Sequence, residues 1–128
     1  MPKPVAVLHG KVVNNAFLFP IIVNGTRLER VAMDTGACEL IINHKMAERL
    51  GLPNLGFIKI RGVGGVTTAY RSKCNLKIGK HKYQDVPCII ARLFSREGLF
   101  GLRFFIDNRL KLTLNPDDNT LTITQGKV

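Results

Sequence analysis

Short runs in which apolar and polar residues alternate make up most of the chain. An alternation with a period of two is typical of β-strands, because successive side chains of a strand point to opposite faces of a sheet. Turn signals separate the runs: Asn24-Gly25, "GVGG" (62–65), a basic turn near Lys80 and His81, and "NPDDN" (115–119). We therefore predict an all-β fold, a sandwich or barrel of short strands joined by hairpins.

Two of the runs carry further predictions. "AFLFPIIV" (16–23) contains Pro20, which cannot donate to a strand ladder and therefore indicates a sheet edge or a bulge. "VTTAYR" (66–71) and "CNLKIG" (74–79) are interpreted as two strands, each belonging to its own hairpin.

Two stretches depart from the alternation and predict short helices. In "NHKMAERLGLP" (43–53), Asn43 is a suitable N-cap, good helix formers follow, and Gly51 and Pro53 end the helix. The second stretch is "GLRFFIDN" (101–108), just before the last hairpin. No linker or low-complexity tract divides the sequence, so residues 1–128 are predicted to form a single domain.

The composition excludes several classes of protein. No run of about 18 apolar residues is present, so no transmembrane segment is predicted. The three cysteines, Cys38, Cys74 and Cys88, have no CxxC spacing and indicate packed free thiols, which favours a cytoplasmic location. The three histidines are scattered, so neither a metal site nor a cofactor is predicted. The chain remains compatible with a soluble domain of an anchored or precursor protein.

The net charge of +10 is partly concentrated in "YRSKCNLKIGKHKY" (70–83). At strand spacing, Arg71, Lys73 and Lys77 share one face of a sheet. A basic face of this kind suits nucleic acid or an acidic surface. With two tyrosines and no tryptophan available for stacking on bases, nucleic-acid binding is disfavoured against a solvated face.

The stretch "ERVAMDTGACELII" (29–42) places Asp34 between two apolar runs. A strand, a tight turn at Thr35-Gly36-Ala37 and a second strand are predicted to hold this carboxyl group rigidly. A carboxyl group enclosed by apolar residues has either a structural role, in which its oxygens are hydrogen-bonded, or a catalytic role.

Three stretches together resemble the retropepsin-like, single-domain aspartic proteases, in the order in which that family has them. "AMDTGA" (32–37) is similar to the catalytic strand and loop, "RGVGGVTT" (61–68) to the flap hairpin, and "LFGLRFF" (99–105) to the element before the C-terminal helix. The resemblance is closest to bacterial and cellular members. It implies a closed barrel of short antiparallel strands with a flap hairpin and one or two short helices, forming one half of a two-fold dimer.

The resemblance also implies roles for individual residues. Asp34 would be the catalytic carboxylate, Thr35 would hydrogen-bond across to the other half of the site, and Gly36 would let the substrate backbone approach. The substrate-binding residues would be Ala37, the flap residues Gly62, Val63, Gly64, Gly65 and Val66, and the pocket residue Leu99. Gly101 would allow close packing beneath the loop, and Glu39 with Arg103 could form an ion pair.

Peptide hydrolysis by this chemistry needs two carboxyl groups, one acting as general base and one as general acid. The other aspartates, Asp85, Asp107, Asp117 and Asp118, are not followed by a hydroxyl residue, glycine and a small residue. The second carboxyl group is therefore expected from Asp34 of a partner chain in a homodimer. Ala37 lacks the hydroxyl donor of serine-bearing relatives, so activity is expected at mildly acidic to neutral pH.

The sequence thus predicts an aspartic endopeptidase that acts on peptide or protein substrates. Two alternatives remain open: a peptide-binding or dimerisation module without turnover, and a basic nucleic-acid binder. The sequence does not indicate the cleavage preference.

Overall fold

The computed structural model describes residues 4–62, 65–92 and 96–126, which form eleven strands and two short helices. Strands and helices follow one another as β1 (Pro4–His9), β2 (Lys11–Val13), β3 (Ala16–Val23), β4 (Thr26–Met33), β5 (Leu40–Asn43), α1 (His44–Leu50), β6 (Phe57–Gly62), β7 (Gly65–Ile78), β8 (His81–Ala91), β9 (Gly98–Phe100), α2 (Arg103–Asp107), β10 (Leu110–Asn115) and β11 (Thr120–Gln125). The predicted all-β class is confirmed. Both predicted helices are present.

Local turn and cap chemistry explains several boundaries. Asn24 and Gly25 both have positive φ, 48° and 82°, as the tight turn between β3 and β4 requires. The side chain of Asn43 accepts a hydrogen bond from the Lys45 N–H and so caps α1. Gly51 ends the helix in the left-handed conformation, with φ 67°. The strand register shifts between Phe19 and Ile21, which confirms the bulge predicted at Pro20.

The long strand β7 differs from the prediction of two separate strands. Its 14 residues run without a break through the polar "RSK" segment and serve both hairpins. Side chains alternate inward and outward along it, with Ser72 and Cys74 buried and Arg71 and Lys73 exposed. Because small residues occupy the inward positions, the strand continues across a stretch that appears polar in sequence.

The strands form two sheets. A three-stranded antiparallel sheet has the order β1-β11-β10, and an eight-stranded sheet has the order β2-β3-β4-β9-β5-β8-β7-β6. An additional pairing of β3 with β7 links six strands of the larger sheet into a ring. Two pairings are parallel, β4 with β9 and β5 with β8, so the sheet is mixed where antiparallel strands were expected throughout.

Aromatic rings from distant parts of the chain fill the centre of the core. Phe100 on β9 is fully buried and lies 4.8 to 6.0 Å, between ring centroids, from Phe19, Phe104 and Phe105. Burial of rings of this size makes a large contribution to the stability of a small domain. The cluster anchors α2 against β9 and thereby positions the segment that lies under the Asp34 loop.

No helix in the described part of the chain is long and apolar enough to cross a lipid bilayer.

Candidate active site

Asp34 lies directly after β4, at the first position of a tight loop that leads to β5. Its backbone N–H donates to the Phe100 carbonyl oxygen (3.1 Å), and its own carbonyl oxygen accepts from the Ala37 N–H (3.1 Å). The Gly36 N–H donates to the Asp34 Oδ1 atom over 3.0 Å. The backbone contacts fix the start of the loop, and the Gly36 N–H orients the half-buried carboxyl group.

The chain segment from Gly101 to Arg103 supports the loop from below. The N–H groups of Gly101, Leu102 and Arg103 donate to the carbonyl oxygens of Glu39 (3.1 Å), Ala37 (3.1 Å) and Cys38 (2.8 Å). A Cβ atom on Gly101 would lie 2.4 Å from the Glu39 carbonyl oxygen and 2.7 Å from that of Ala37. Glycine is therefore required at position 101 by close backbone approach, as the family resemblance implied.

An ion pair ties the same two segments together through their side chains. Arg103 Nη1 donates to Glu39 Oε1 over 2.5 Å, and Arg103 Nε lies 3.6 Å from Asp107 Oδ2. The Glu39 carboxylate, and to a smaller extent that of Asp107, raises the pKa of the Arg103 guanidinium. The predicted pairing of Glu39 with Arg103 is thus present within one chain.

Cys38 differs from its prediction as a packed thiol, because its side chain is exposed. The Cys38 carbonyl oxygen accepts a hydrogen bond from the Arg103 N–H, so its backbone faces the Gly101–Arg103 segment while its side chain is exposed. Cys74 and Cys88 are buried free thiols, as predicted. The pKa of the Cys74 thiol is raised, mainly by its hydrogen bond with Cys88 and to a smaller extent by burial.

A row of paired residues extends from the loop across the sheet. Ala32 on β4 pairs with Leu99 on β9, Leu99 with Ile41 on β5, and Ile41 with Ile89 on β8. Directly paired residues share a face, so these side chains form one apolar row, which ends at Arg71 on β7. Asp34 follows Ala32 by two positions, which continues the same face.

A small apolar cluster extends this row toward the flap hairpin. It consists of buried Ala69, Ile89 and Ala91, with partly buried Ile41, Ile58 and Ile60 packed against them. The sequence prediction named Leu99 but missed the isoleucines. The alternation in "FIKIR" places Ile58 and Ile60 on one face and was the available signal.

The flap hairpin is formed by β6 and β7, whose last described pair joins Gly62 to Gly65. Gly65 has φ 105°, a conformation that favours glycine, and Val66 is 58% exposed. Val63 and Gly64, which the resemblance places at the flap tip, lie outside the described residues. The structure thus brings together Asp34, Thr35, Gly36, Ala37 and Leu99 and places the described flap residues at the end of a separate hairpin.

A carboxylate that the sequence prediction missed aligns the strands behind the site. Glu97 Oε1 accepts hydrogen bonds from the N–H groups of Glu29 and Arg30, each over 2.9 Å. The Glu97 N–H donates to the Arg30 carbonyl oxygen (3.0 Å). These contacts fix the start of β9 against β4, the two strands that carry Leu99 and lead to Asp34. The partners are 67 and 68 positions apart, so no local sequence signal indicates them.

The other aspartates have partners away from the Asp34 loop. Asp85 lies 3.7 Å from Lys73, Asp107 interacts with Arg103, and Asp118 accepts from the Thr120 hydroxyl group over 2.6 Å. Asp117 lies in the turn between β10 and β11. Among the described residues, no group of three or more His, Cys, Asp or Glu side chains is placed to hold a metal ion.

Comparisons with known proteins agree with this geometry. A family model described as gag-polyprotein putative aspartyl protease matches residues 19–107. No curated protein sequence matches the chain. The fold is similar to a retropepsin-like aspartic protease from Rickettsia conorii (16% identity, TM-score 0.66), with 98% of this chain and 96% of that chain covered.

Two further solved structures have the same fold. EIAV protease, solved with the inhibitor HBY-793, is 21% identical with a TM-score of 0.64, and 81% of this chain and 98% of that chain are covered. The retroviral protease-like domain of Ddi1 from Leishmania major is 18% identical with a TM-score of 0.61, and 92% of this chain and 97% of that chain are covered. At these identities the likenesses establish the retropepsin-like fold.

Proposed function

Since the chain belongs to the gag-polyprotein putative aspartyl protease family, we propose that it is an endopeptidase in which two Asp34 carboxyl groups meet across the axis of a homodimer. The supporting observation is the environment of Asp34. Its carboxyl group is held at the start of the loop by a glycine N–H and has no cationic partner among the described residues, although the net charge is +10. A nearby cation would favour ionisation of both carboxyl groups and so work against a shared proton.

The two carboxyl groups divide the chemistry between them. Carboxyl groups within hydrogen-bonding distance cannot both ionise and share one proton, as is known for aspartic proteases. The ionised group takes a proton from a bound water molecule, and that water attacks the scissile carbonyl carbon. The protonated group donates a hydrogen bond to the carbonyl oxygen, and the roles then exchange as the amine leaves. Thr35 would hydrogen-bond across the axis and Gly36 would admit the substrate backbone.

The apolar row favours a preference for substrates that have apolar side chains near the cleaved bond. Leu99 lies on β9, next to the strand that leads to Asp34, and Ile41 lies on β5, the strand beyond β9. Ala37 keeps the loop small. A peptide bound in extended conformation along this face would bury apolar side chains against the row, which favours association. The flap residues Gly62, Val63, Gly64, Gly65 and Val66 are proposed to cover the bound peptide from the opposite side.

The homodimer is tested by the dependence of activity on protein concentration. We expect the active species to have twice the 14.2 kDa mass of one chain, and specific activity to fall when the protein is diluted below the dimer dissociation constant. The measurement is cleavage of an unbiased peptide library over a range of protein concentrations, with light scattering in parallel. Activity that is constant on dilution to a purely monomeric protein would contradict the shared site.

The pH profile is expected to depend on Ala37. A serine at this position adds a hydroxyl donor beside the carboxyl pair and stabilises its charged form. The charged form then persists to lower pH, so the acid limb of the activity profile of Ala37→Ser should move down by about one pH unit. One net hydrogen bond contributes about 1 kcal/mol, and a shift of one pKa unit corresponds to about 1.4 kcal/mol.

The matched control is Cys38→Ser, which adds a hydroxyl group at the next, exposed position of the loop. Its pH profile should coincide with that of the wild type. An unchanged profile in Ala37→Ser, or a shift to higher pH, would show that the position does not act on the carboxyl pair.

A further inference from the structure

A second row of residues crosses the sheet at the end of β4 remote from Asp34. Arg27 on β4 pairs with Ile22 on β3, Ile22 with Lys77 on β7, and Lys77 with Lys82 on β8. Directly paired residues share a face, so the four side chains form one outward row about 14 Å long. We call Arg27, Ile22, Lys77 and Lys82 the basic row. Its three cations are exposed and Ile22 is half-buried.

The two lysines of the basic row, unlike Arg27, have no carboxylate partner among the described residues. Lys77 and Lys82 lie directly opposite each other, an arrangement of like charges that destabilises a sheet. Arg27 pairs with Glu29 over 3.0 Å, and nearby Lys73 lies 3.7 Å from Asp85. Within the described ranges, by contrast, neither lysine of the row has a carboxylate at ion-pair distance, nor has Lys80 in the adjoining turn.

The surface at this row is concave. A groove of about 430 Å³ is lined by Ile22, Lys77 and Lys82, together with the amide side chains of Asn75 and Gln84. Aliphatic, cationic and amide-bearing residues thus line the same groove. This combination suits a ligand that has both carboxylates and aliphatic groups, such as an acidic stretch of polypeptide.

Aromatic contacts distinguish a polypeptide from a nucleic acid. Single-stranded nucleic acids gain much of their affinity from bases stacked on exposed aromatic rings. The aromatic side chain that lines this groove, Tyr83, is half-buried and packs edge-on against Phe104, with 4.9 Å between ring centroids. Because Tyr83 is partly buried against the hydrophobic core, it is not a free stacking platform, and charge and aliphatic contact are the main interactions that the groove offers.

We propose that the basic row and Lys80 bind an extended acidic segment of a partner protein. In an extended chain, alternate side chains repeat about every 6.7 Å on one face, a spacing that flexible lysine side chains reach from the row. Arg27 precedes Asp34 by seven residues, about 23 Å along the strand direction, so the groove is separate from the proposed catalytic site. The proposal is therefore independent of peptidase activity.

Binding is measured with the Asp34→Asn protein, so that cleavage of the probe does not interfere. The probe is a fluorescently labelled peptide of alternating glutamate and valine, followed by fluorescence anisotropy at low and high salt. We expect binding that weakens with salt and that falls at least about tenfold in Lys77→Gln/Lys82→Gln. A protein that does not bind the probe at low salt would overturn the proposal.

The matched control is Lys11→Gln/Lys111→Gln, which removes the same net charge from exposed positions on β2 and β10. Its affinity should stay within about twofold of the parent protein, because neither Lys11 nor Lys111 lines the groove and exposed charges that do not contact the ligand are screened by salt. Equal losses in the two double variants would show an effect of net charge alone and overturn the local site. Equal or tighter binding of a single-stranded oligothymidylate, lost in the Lys77/Lys82 variant, would assign the row to nucleic acid and overturn the polypeptide assignment.

The variant Lys82→Glu tests whether a loss of peptide binding is caused by the loss of the lysine charge or by unfolding of the protein. It converts the opposed lysines into an oppositely charged cross-strand pair, so the melting temperature should stay equal or rise. Binding of the acidic peptide should nevertheless be lost. Retained affinity in this folded variant would overturn the proposal.

Discussion

Replacing Asp34 by asparagine is expected to lower peptide cleavage by about three to four orders of magnitude while the protein remains folded and dimeric. Asparagine has nearly the same shape and keeps the acceptor for the Gly36 N–H, which donates to Asp34 Oδ1 in the wild type. It can neither take a proton from water nor hold the shared proton of the carboxyl pair. The measurement is the rate of cleavage of an unbiased peptide library, with mass and melting temperature determined on the same samples.

The matched control is Asp85→Asn. Asp85 is exposed and forms a 3.7 Å ion pair with Lys73 on the β7–β8 hairpin, so this change alters a surface charge of small energetic value. Its cleavage rate should equal that of the wild type. Equal rates for Asp34→Asn and the wild type would refute the proposed chemistry, and a wild-type protein that is dimeric yet inert would favour a peptide-binding module on the same fold.

Gly101→Ala is expected to destabilise the protein by about 2 to 3 kcal/mol and to lower activity by at least about tenfold. The new Cβ atom would lie 2.4 Å from the Glu39 carbonyl oxygen and 2.7 Å from the Cys38 carbonyl carbon. Both are backbone atoms, so relief requires a shift of the loop that carries Asp34. A shift there would misplace the carboxyl group with respect to its partner across the axis. Chemical denaturation and cleavage kinetics measure the two effects.

Gly51→Ala provides the control for loss of a glycine without a clash. Gly51 has φ 67°, yet no heavy atom lies within 4 Å of a Cβ atom built there. Alanine at this helix end should cost about 1 kcal/mol through backbone strain and leave cleavage unchanged. If Gly101→Ala has wild-type stability and activity, the Asp34 loop does not depend on the close backbone approach of Gly101 to Ala37 and Glu39.

Local sequence chemistry predicted more of the fold than of the site. The bounds of β3 coincide with "AFLFPIIV", and the predicted Asn24-Gly25 turn joins it to β4, because a two-residue turn and strand alternation are short-range signals. The caps of α1 and the bulge at Pro20 have equally local causes. The error at β7 arose at Ser72 and Lys73, which lie between the two predicted strands, because small inward residues allow the strand to continue there.

The sequence by itself determined the all-β class, the turns, and the placement of Asp34 on a tight loop between two strands. Only the tertiary structure decided the parallel pairing of β4 with β9, the Glu97 contacts to β4, and the apolar row of Leu99, Ile41 and Ile89. It also decided that Lys77 and Lys82 lie directly opposite each other on β7 and β8. The reason is physical: turns and caps depend on atoms a few residues apart, whereas register and burial depend on how the whole chain packs around the Phe100 cluster.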